Sequence, residues 1–105
     1  HQFCILGDHS FVGMNTSISM DVPAFVKVAA DPARVIGLNS IGMARNEIPE
    51  ESINLLKKSY KVVYKRGLKL EAAIKKLEIM HSETDDSFLL TFINSIKESS
   101  RGILR

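Results

Sequence analysis

An aliphatic residue followed by a small one recurs every six positions near the start of this chain: Leu6-Gly7, Val12-Gly13 and Ile18-Ser19. Few folds give such an interval a physical meaning. In a left-handed parallel β-helix each coil is a triangle of three short strands. One aliphatic side chain per hexad points into a narrow prism, and a small residue follows where the chain turns. A lone coil buries little, whereas stacked coils bury a continuous aliphatic column. Three hexads make about one coil, so residues 1–37 hold only the end of such a prism. A plain antiparallel meander carries the same spacing without using it, and the repeat alone does not separate the two.

After residue 37 the period changes. Residues 38–48 read as a connecting segment, and residues 49–105 as a helical domain. Pro49 stands where a helix begins, at a position whose missing N–H costs nothing. Glu50 and Glu51 suit the positive end of the helix dipole. Ile53, Leu56, Tyr60, Val63 and Tyr64 then form one apolar face, and Gly67 is a natural stop. A second helix carries Leu70, Ala73, Ile74, Leu77 and Met80 on one face. The polar break from Ser82 to Asp86 supplies capping residues. A third helix carries Phe88, Leu89, Phe92, Ile93 and Ile96, and Gly102 is expected to end it. Three amphipathic helices predict a small bundle packed on the β-helix or on partner chains. On the hexad reading the expected fold class is β-helix plus α, the last coils of a left-handed parallel β-helix followed by a small three-helix C-terminal domain; the meander stays open until the exit-segment resemblance below favours the β-helix.

Composition narrows the function. Hydrophobic residues make up 45% and charged residues 25%, ordinary for a globular protein. A net charge of +2 is too small to argue for nucleic acid as a partner. Of the 14 lysines and arginines only Lys27 and Arg34 fall within residues 1–42, beside Asp8, Asp21 and Asp31. The single cysteine, Cys4, has no intrachain partner, which favours a reducing, cytoplasmic setting. No apolar run is long enough to span a membrane. The opening His1-Gln2-Phe3-Cys4 has no secretory character and reads as the middle of an element, hence as a fragment boundary.

Two further stretches carry a resemblance. Asp21-Val22-Pro23-Ala24-Phe25 and Asp31-Pro32-Ala33-Arg34-Val35-Ile36-Gly37 are similar to the exit segment of hexapeptide-repeat acyltransferases, with Ala24, Phe25 and Ala30-Asp31 as mild departures. Pro23 and Pro32 fix φ and withhold donors, which suits corners and an end coil with no next neighbour. The opening His1-Gln2-Phe3-Cys4, then Gly37-Leu38-Asn39, Gly42-Met43-Ala44-Arg45, the helix text from Ser59 to Gly67 and the ending Ser100-Arg101-Gly102-Ile103-Leu104-Arg105 resemble the UDP-N-acetylglucosamine O-acyltransferase family of lipid A biosynthesis, in order and spacing. That resemblance covers essentially the whole chain. It implies a homotrimer with active sites in clefts between neighbouring β-helices. It also implies transfer of a 3-hydroxyacyl chain from acyl carrier protein to the 3-hydroxyl of UDP-N-acetylglucosamine, without metal or redox cofactor. A sugar hydroxyl is a weak nucleophile and needs a positioned base, and the tetrahedral intermediate needs fixed donors. In the family the base is a histidine in an earlier coil, expected before His1, so the fragment alone is expected to be inactive. The alternatives are another hexapeptide acyltransferase, such as the N-acyltransferase of the same pathway, or a non-catalytic module for trimerisation or carrier-protein binding.

The resemblance also implies site residues. His1 and Gln2 match positions lining the cleft, where an amide serves sugar or acyl group; two solvated polar side chains at a corner are the plain alternative. Asn39 and Arg45 match positions that reach the uridine and phosphate part of the nucleotide from the neighbouring subunit, a task suited to the guanidinium fork. The plain alternative for Arg45 is a solvated side chain. The family often has further arginine and an acid here, where this chain has Ala44, Asn46 and Ile41. Met14 follows Gly13 on the face expected to line the acyl groove, where its side chain would select a shorter chain; packing between coils is the alternative. Lys57, Lys58, Lys61, Lys65 and Arg66 form a basic face suited to the acidic carrier protein that the family supplies, or to nucleic acid, or simply a solvated face balanced by Glu50, Glu51 and Glu71. His9 either faces the cleft or caps a turn, and Cys4 reads as inert.

Overall fold

The computed structural model describes residues 6–13, 16, 18–29, 33–99 and 102–105. Within them, strands β1 (Phe11–Val12), β2 (Val26–Ala29) and β3 (Arg34–Leu38) precede helices α1 (Ser40–Arg45), α2 (Glu50–Tyr64), α3 (Leu70–Thr84) and α4 (Ser87–Lys97). The sheet order is β1-β2-β3.

Coil geometry is written in the strand pairing. Leu6 pairs with Val22, Phe11 with Lys27 and Val12 with Val28, all in parallel, so each rung joins residues sixteen apart. Three hexads would set the rungs about eighteen apart; this coil is two residues shorter. Gly7 shows why a small residue follows the aliphatic one: a β-carbon there would strike the backbone of Ala24, with Ala24 Cα only 2.8 Å away. The aliphatic column is less regular than the hexads predict. Val12 and Ile18 pack against the core, but Leu6 is 54% exposed. A hexad side chain is buried only between two coils, and among the described residues the rung of Leu6 is covered on one side, by Val22.

The other edge of the coil is closed by two devices. β3 folds back antiparallel on β2 with an irregularity between Lys27 and Val28 that leaves Ile36 unmatched and 54% exposed. The C-terminal tail covers the neighbouring stretch. Ile103 pairs with Asp21, whose amide donates to the Gly102 carbonyl at 2.9 Å and whose carbonyl accepts from Leu104 N at 2.7 Å. Ser99 Oγ donates to the buried Asp21 carboxylate at 2.6 Å. The Tyr64 hydroxyl donates to the Leu104 carbonyl at 2.8 Å, and burial raises its pKa, as does Tyr60, against an opposing effect of Arg105. Arg105 Nη2 donates to the carbonyls of Val63 and Leu68, both at 2.7 Å, placing a cation at the negative end of α2. These contacts correct the expected end of the third helix. α4 stops at Lys97, five residues before Gly102. Gly102, at φ +97, instead serves the turn that lays the tail along Asp21.

The three longer helices form the expected bundle. Their inward residues include Leu56, Val62, Val63, Ala73, Leu77, Leu89, Phe92, Ile93 and Ile96, all buried. Leu70, Ile74, Met80 and Phe88 pack around that core half-buried. Asp86 caps α4, accepting from the amides of Phe88 and Leu89 at 2.9 and 3.0 Å and from the Ser52 hydroxyl at 2.6 Å. Partial burial alone would raise the Asp86 pKa, but the Ser52 hydroxyl, the two amides and the charge of His81 more than offset it and hold the carboxyl below its ordinary value. Ser95 Oγ accepts from Ala24 N at 2.9 Å and so joins α4 to the coil.

Candidate functional site

The short helix α1 was not expected from sequence, and it builds the candidate site. Asn39 is its N-cap. Asn39 Oδ1 accepts from Gly42 N at 3.1 Å, and its Nδ2 donates to the His9 carbonyl at 2.9 Å. Its own amide donates to the Phe25 carbonyl at 2.7 Å. Gly42 allows this closeness, since a β-carbon there would collide with the Asn39 side chain.

Phe25 anchors the arrangement. It has φ 66, a conformation that costs about 1 kcal/mol or more in a residue with a β-carbon. Its amide donates to the Asp8 carbonyl at 2.8 Å, and its fully buried ring lies between His9, stacked at 5.4 Å, and Phe88, edge-on at 6.4 Å. His9 thus supports the turn with its ring and holds Asn39 with its carbonyl, and it does not line the pocket described next.

Between the sheet and α1 lies an open pocket of about 270 Å³, lined by Phe11, Lys27, Asn39, Ile41, Gly42 and Arg45. Asn39 and Arg45, six residues apart in sequence, face the same space. Arg45 is exposed in the last turn of α1. Lys27 Nζ sits 5.6 Å from the centre of the Phe11 ring, a cation–π contact worth about 0.5–1 kcal/mol. The pocket lining carries two cations and no carboxylate. Ile41, 64% exposed, adds apolar surface. Asn46 is turned away to donate from Nδ2 to the Gly42 carbonyl at 2.7 Å.

Phe11 and Lys27 had no role in the sequence reading. They meet because they are sixteen residues apart, one coil, an interval that is visible only once the coil length is known. His1, Gln2, Cys4 and Met14 lie outside the described residues. Lys57, Lys58, Lys61, Lys65 and Arg66 are all exposed. The four lysines lie on α2 or its C-cap within roughly 100° of arc. None of the five is ion-paired among the described residues. No cluster of metal-ligating side chains occurs among the described residues, and no described helix is long and apolar enough to cross a membrane.

Residues 21–104 match the family described as UDP N-acetylglucosamine O-acyltransferase, domain 2. The chain belongs to the UDP-N-acetylglucosamine O-acyltransferase family. An acyl-[acyl-carrier-protein]–UDP-N-acetylglucosamine O-acyltransferase of Pseudomonas putida is 44% identical over 108 aligned positions, which cover all of this chain and 40% of that protein. The UDP-N-acetylglucosamine O-acyltransferase structure from Moraxella catarrhalis superimposes with a TM-score of 0.92 at 34% identity, over all of this chain and 40% of that one. The UDP-N-acetylglucosamine acyltransferase of Francisella novicida gives 0.90 at 32%, covering 98% of this chain and 37% of its own. This chain thus spans about 40% of the length of the curated acyltransferases it matches. Its fold is that of the end coils of a left-handed β-helix joined to a helical domain. The matched region ends at Leu104, which hydrogen-bonds to Asp21, the residue where the match begins.

Proposed function

We propose that this chain is the C-terminal part of a cytoplasmic, homotrimeric acyltransferase that moves a 3-hydroxyacyl group from acyl carrier protein to the 3-hydroxyl of UDP-N-acetylglucosamine, opening lipid A biosynthesis. The observation that carries the reading is the convergence of Asn39 and Arg45, singled out by the family resemblance, on one pocket without a carboxylate. The guanidinium of Arg45 would hold a phosphate oxygen. Asn39 would act through the amide capacity left after its bonds to Gly42 and His9. Gln2 and His1 would face the sugar and acyl ends, and Met14 would close the acyl groove.

In the reaction a histidine from an earlier coil takes the proton of the sugar hydroxyl. The oxygen attacks the thioester carbonyl, the new C–O bond forms, the C–S bond breaks, and the carrier thiolate regains a proton. The unpaired stripe Lys57, Lys58, Lys61 and Lys65, with Arg66, would receive the acidic carrier protein. The full-length protein, given 3-hydroxyacyl carrier proteins of several lengths and UDP-N-acetylglucosamine, is expected to yield ester and to favour the shorter chains. No transfer to this acceptor refutes the reading.

A further inference from the structure

Lys27 is the least expected member of the pocket. It stands in the middle strand of the sheet, where Lys27 pairs with Phe11 on one side and with Gly37 on the other. Gly37 has nothing within 4 Å of the place a β-carbon would occupy, so that side of the row is open. Lys27 is half-buried, and its ammonium is held over the Phe11 ring at 5.6 Å. It forms no ion pair with a carboxylate of the described residues, and neither does Arg45. Two unneutralised cations, one rising from the sheet and one from α1, therefore border the same 270 Å³ space. Asn46 is neutral, and its Nδ2 is tied back to the Gly42 carbonyl of α1.

We infer that Lys27 is a second phosphate-binding residue, clamping the diphosphate of the nucleotide sugar opposite Arg45. This rests on the proposed nucleotide site and adds to it a residue and a division of labour. Two phosphates carry charge over more than one oxygen. A guanidinium fork binds one planar edge, and a lysine ammonium binds as a point charge. The cation–π contact fixes the ammonium before ligand arrives, which lowers the ordering cost of binding. The apolar sides, Phe11 and Ile41, leave these cations as the polar recognition elements together with Asn39.

The test uses the full-length protein. Binding of UDP and of uridine is measured for the wild type, Lys27→Met, Lys27→Arg and, as a control on overall charge, Lys76→Met on exposed α3. Acyl transfer is assayed separately. Lys27→Met is expected to weaken UDP binding about tenfold and to flatten its salt dependence while leaving uridine binding unchanged. Lys27→Arg should recover most of the loss, and Lys76→Met should match the wild type. A purely structural lysine would move uridine and UDP together, and that result overturns the inference. So does a Lys27→Met protein with wild-type UDP affinity, even if acyl transfer is normal. Selective loss of UDP binding in a protein that transfers no acyl group would keep the inference and remove the acyltransferase reading. A wild type that binds no UDP overturns both.

Discussion

The coil end and the helical bundle are built on opposite principles. In the bundle, side chains four or so residues apart in sequence meet the same core, and each helix brings its own backbone hydrogen bonds. In the coil, the parallel rungs join residues sixteen apart, Leu6 to Val22 and Phe11 to Lys27, and the tail joins Asp21 to Ile103; the return of β3 along β2 is the local exception. Both regions send large apolar residues into one core, Leu77 and Phe92 from the bundle and Phe25, Val26 and Val28 from the coil, all at 0% exposure, and the bundle leaves Ile79 and Leu90 outside. The coil leaves Leu6, Phe11 and Ile36 about half exposed. The bundle's part of the core thus follows a local period, whereas the candidate pocket is assembled from the strands, Asn39 and the short α1.

That contrast can be broken most forcefully in the bundle. Phe92→Ala should cost about 3–5 kcal/mol, read by denaturant unfolding, because it leaves a large cavity in the core. On the coil side, Gly7→Ala should cost about 1–3 kcal/mol, since the new methyl meets backbone rather than a movable side chain. Gly13→Ala sharpens this. Its methyl would meet the Ala29 side chain at 3.1 Å, and the loss should be clearly smaller. Equal effects at the two glycines would mean the coils are not held as described.

The joint between the regions comes next. Tyr64→Phe removes the hydroxyl bond to the Leu104 carbonyl and should cost about 1 kcal/mol, with faster hydrogen exchange at the Leu104 amide. Asp86→Ala, which uncaps α4, should cost a similar amount of about 1 kcal/mol without disturbing the tail. The pH dependence has a definite sign. The folded Asp86 pKa lies below its ordinary 3.8, so its stabilisation is present above that value and is lost as pH falls toward the folded pKa. Asp86→Asn, which keeps a capping oxygen, should remove that acid-dependent part.

The same contrast explains what the sequence disclosed. The helix faces were legible because their 3.6-residue period is local: Leu56, Val63, Ala73, Leu77, Leu89, Phe92, Ile93 and Ile96 are buried as the spacing predicts. Ser59 was missed because a serine is buried only when its hydroxyl finds a partner, here the Leu55 carbonyl at 2.8 Å. The hexad repeat announced the coil but not its sixteen-residue length, and so not the meeting of Phe11 and Lys27. The tail was hidden for the same reason. Nothing local in Gly102-Ile103-Leu104-Arg105 says that it will lie along Asp21, and Gly102 read as a helix stop when it serves a turn further on. Asn39 and Arg45 were found by resemblance, and only the capping geometry explains why Asn39 is fixed where it is.

The central claim is that the Asn39–Arg45 pocket receives the nucleotide phosphates. Its most direct test is the KM for UDP-N-acetylglucosamine in the full-length Arg45→Ala protein. Loss of one charge-assisted contact of about 1.5–3 kcal/mol predicts a rise of roughly ten- to a hundredfold in KM, with kcat largely kept. An unchanged KM in an active enzyme would contradict it.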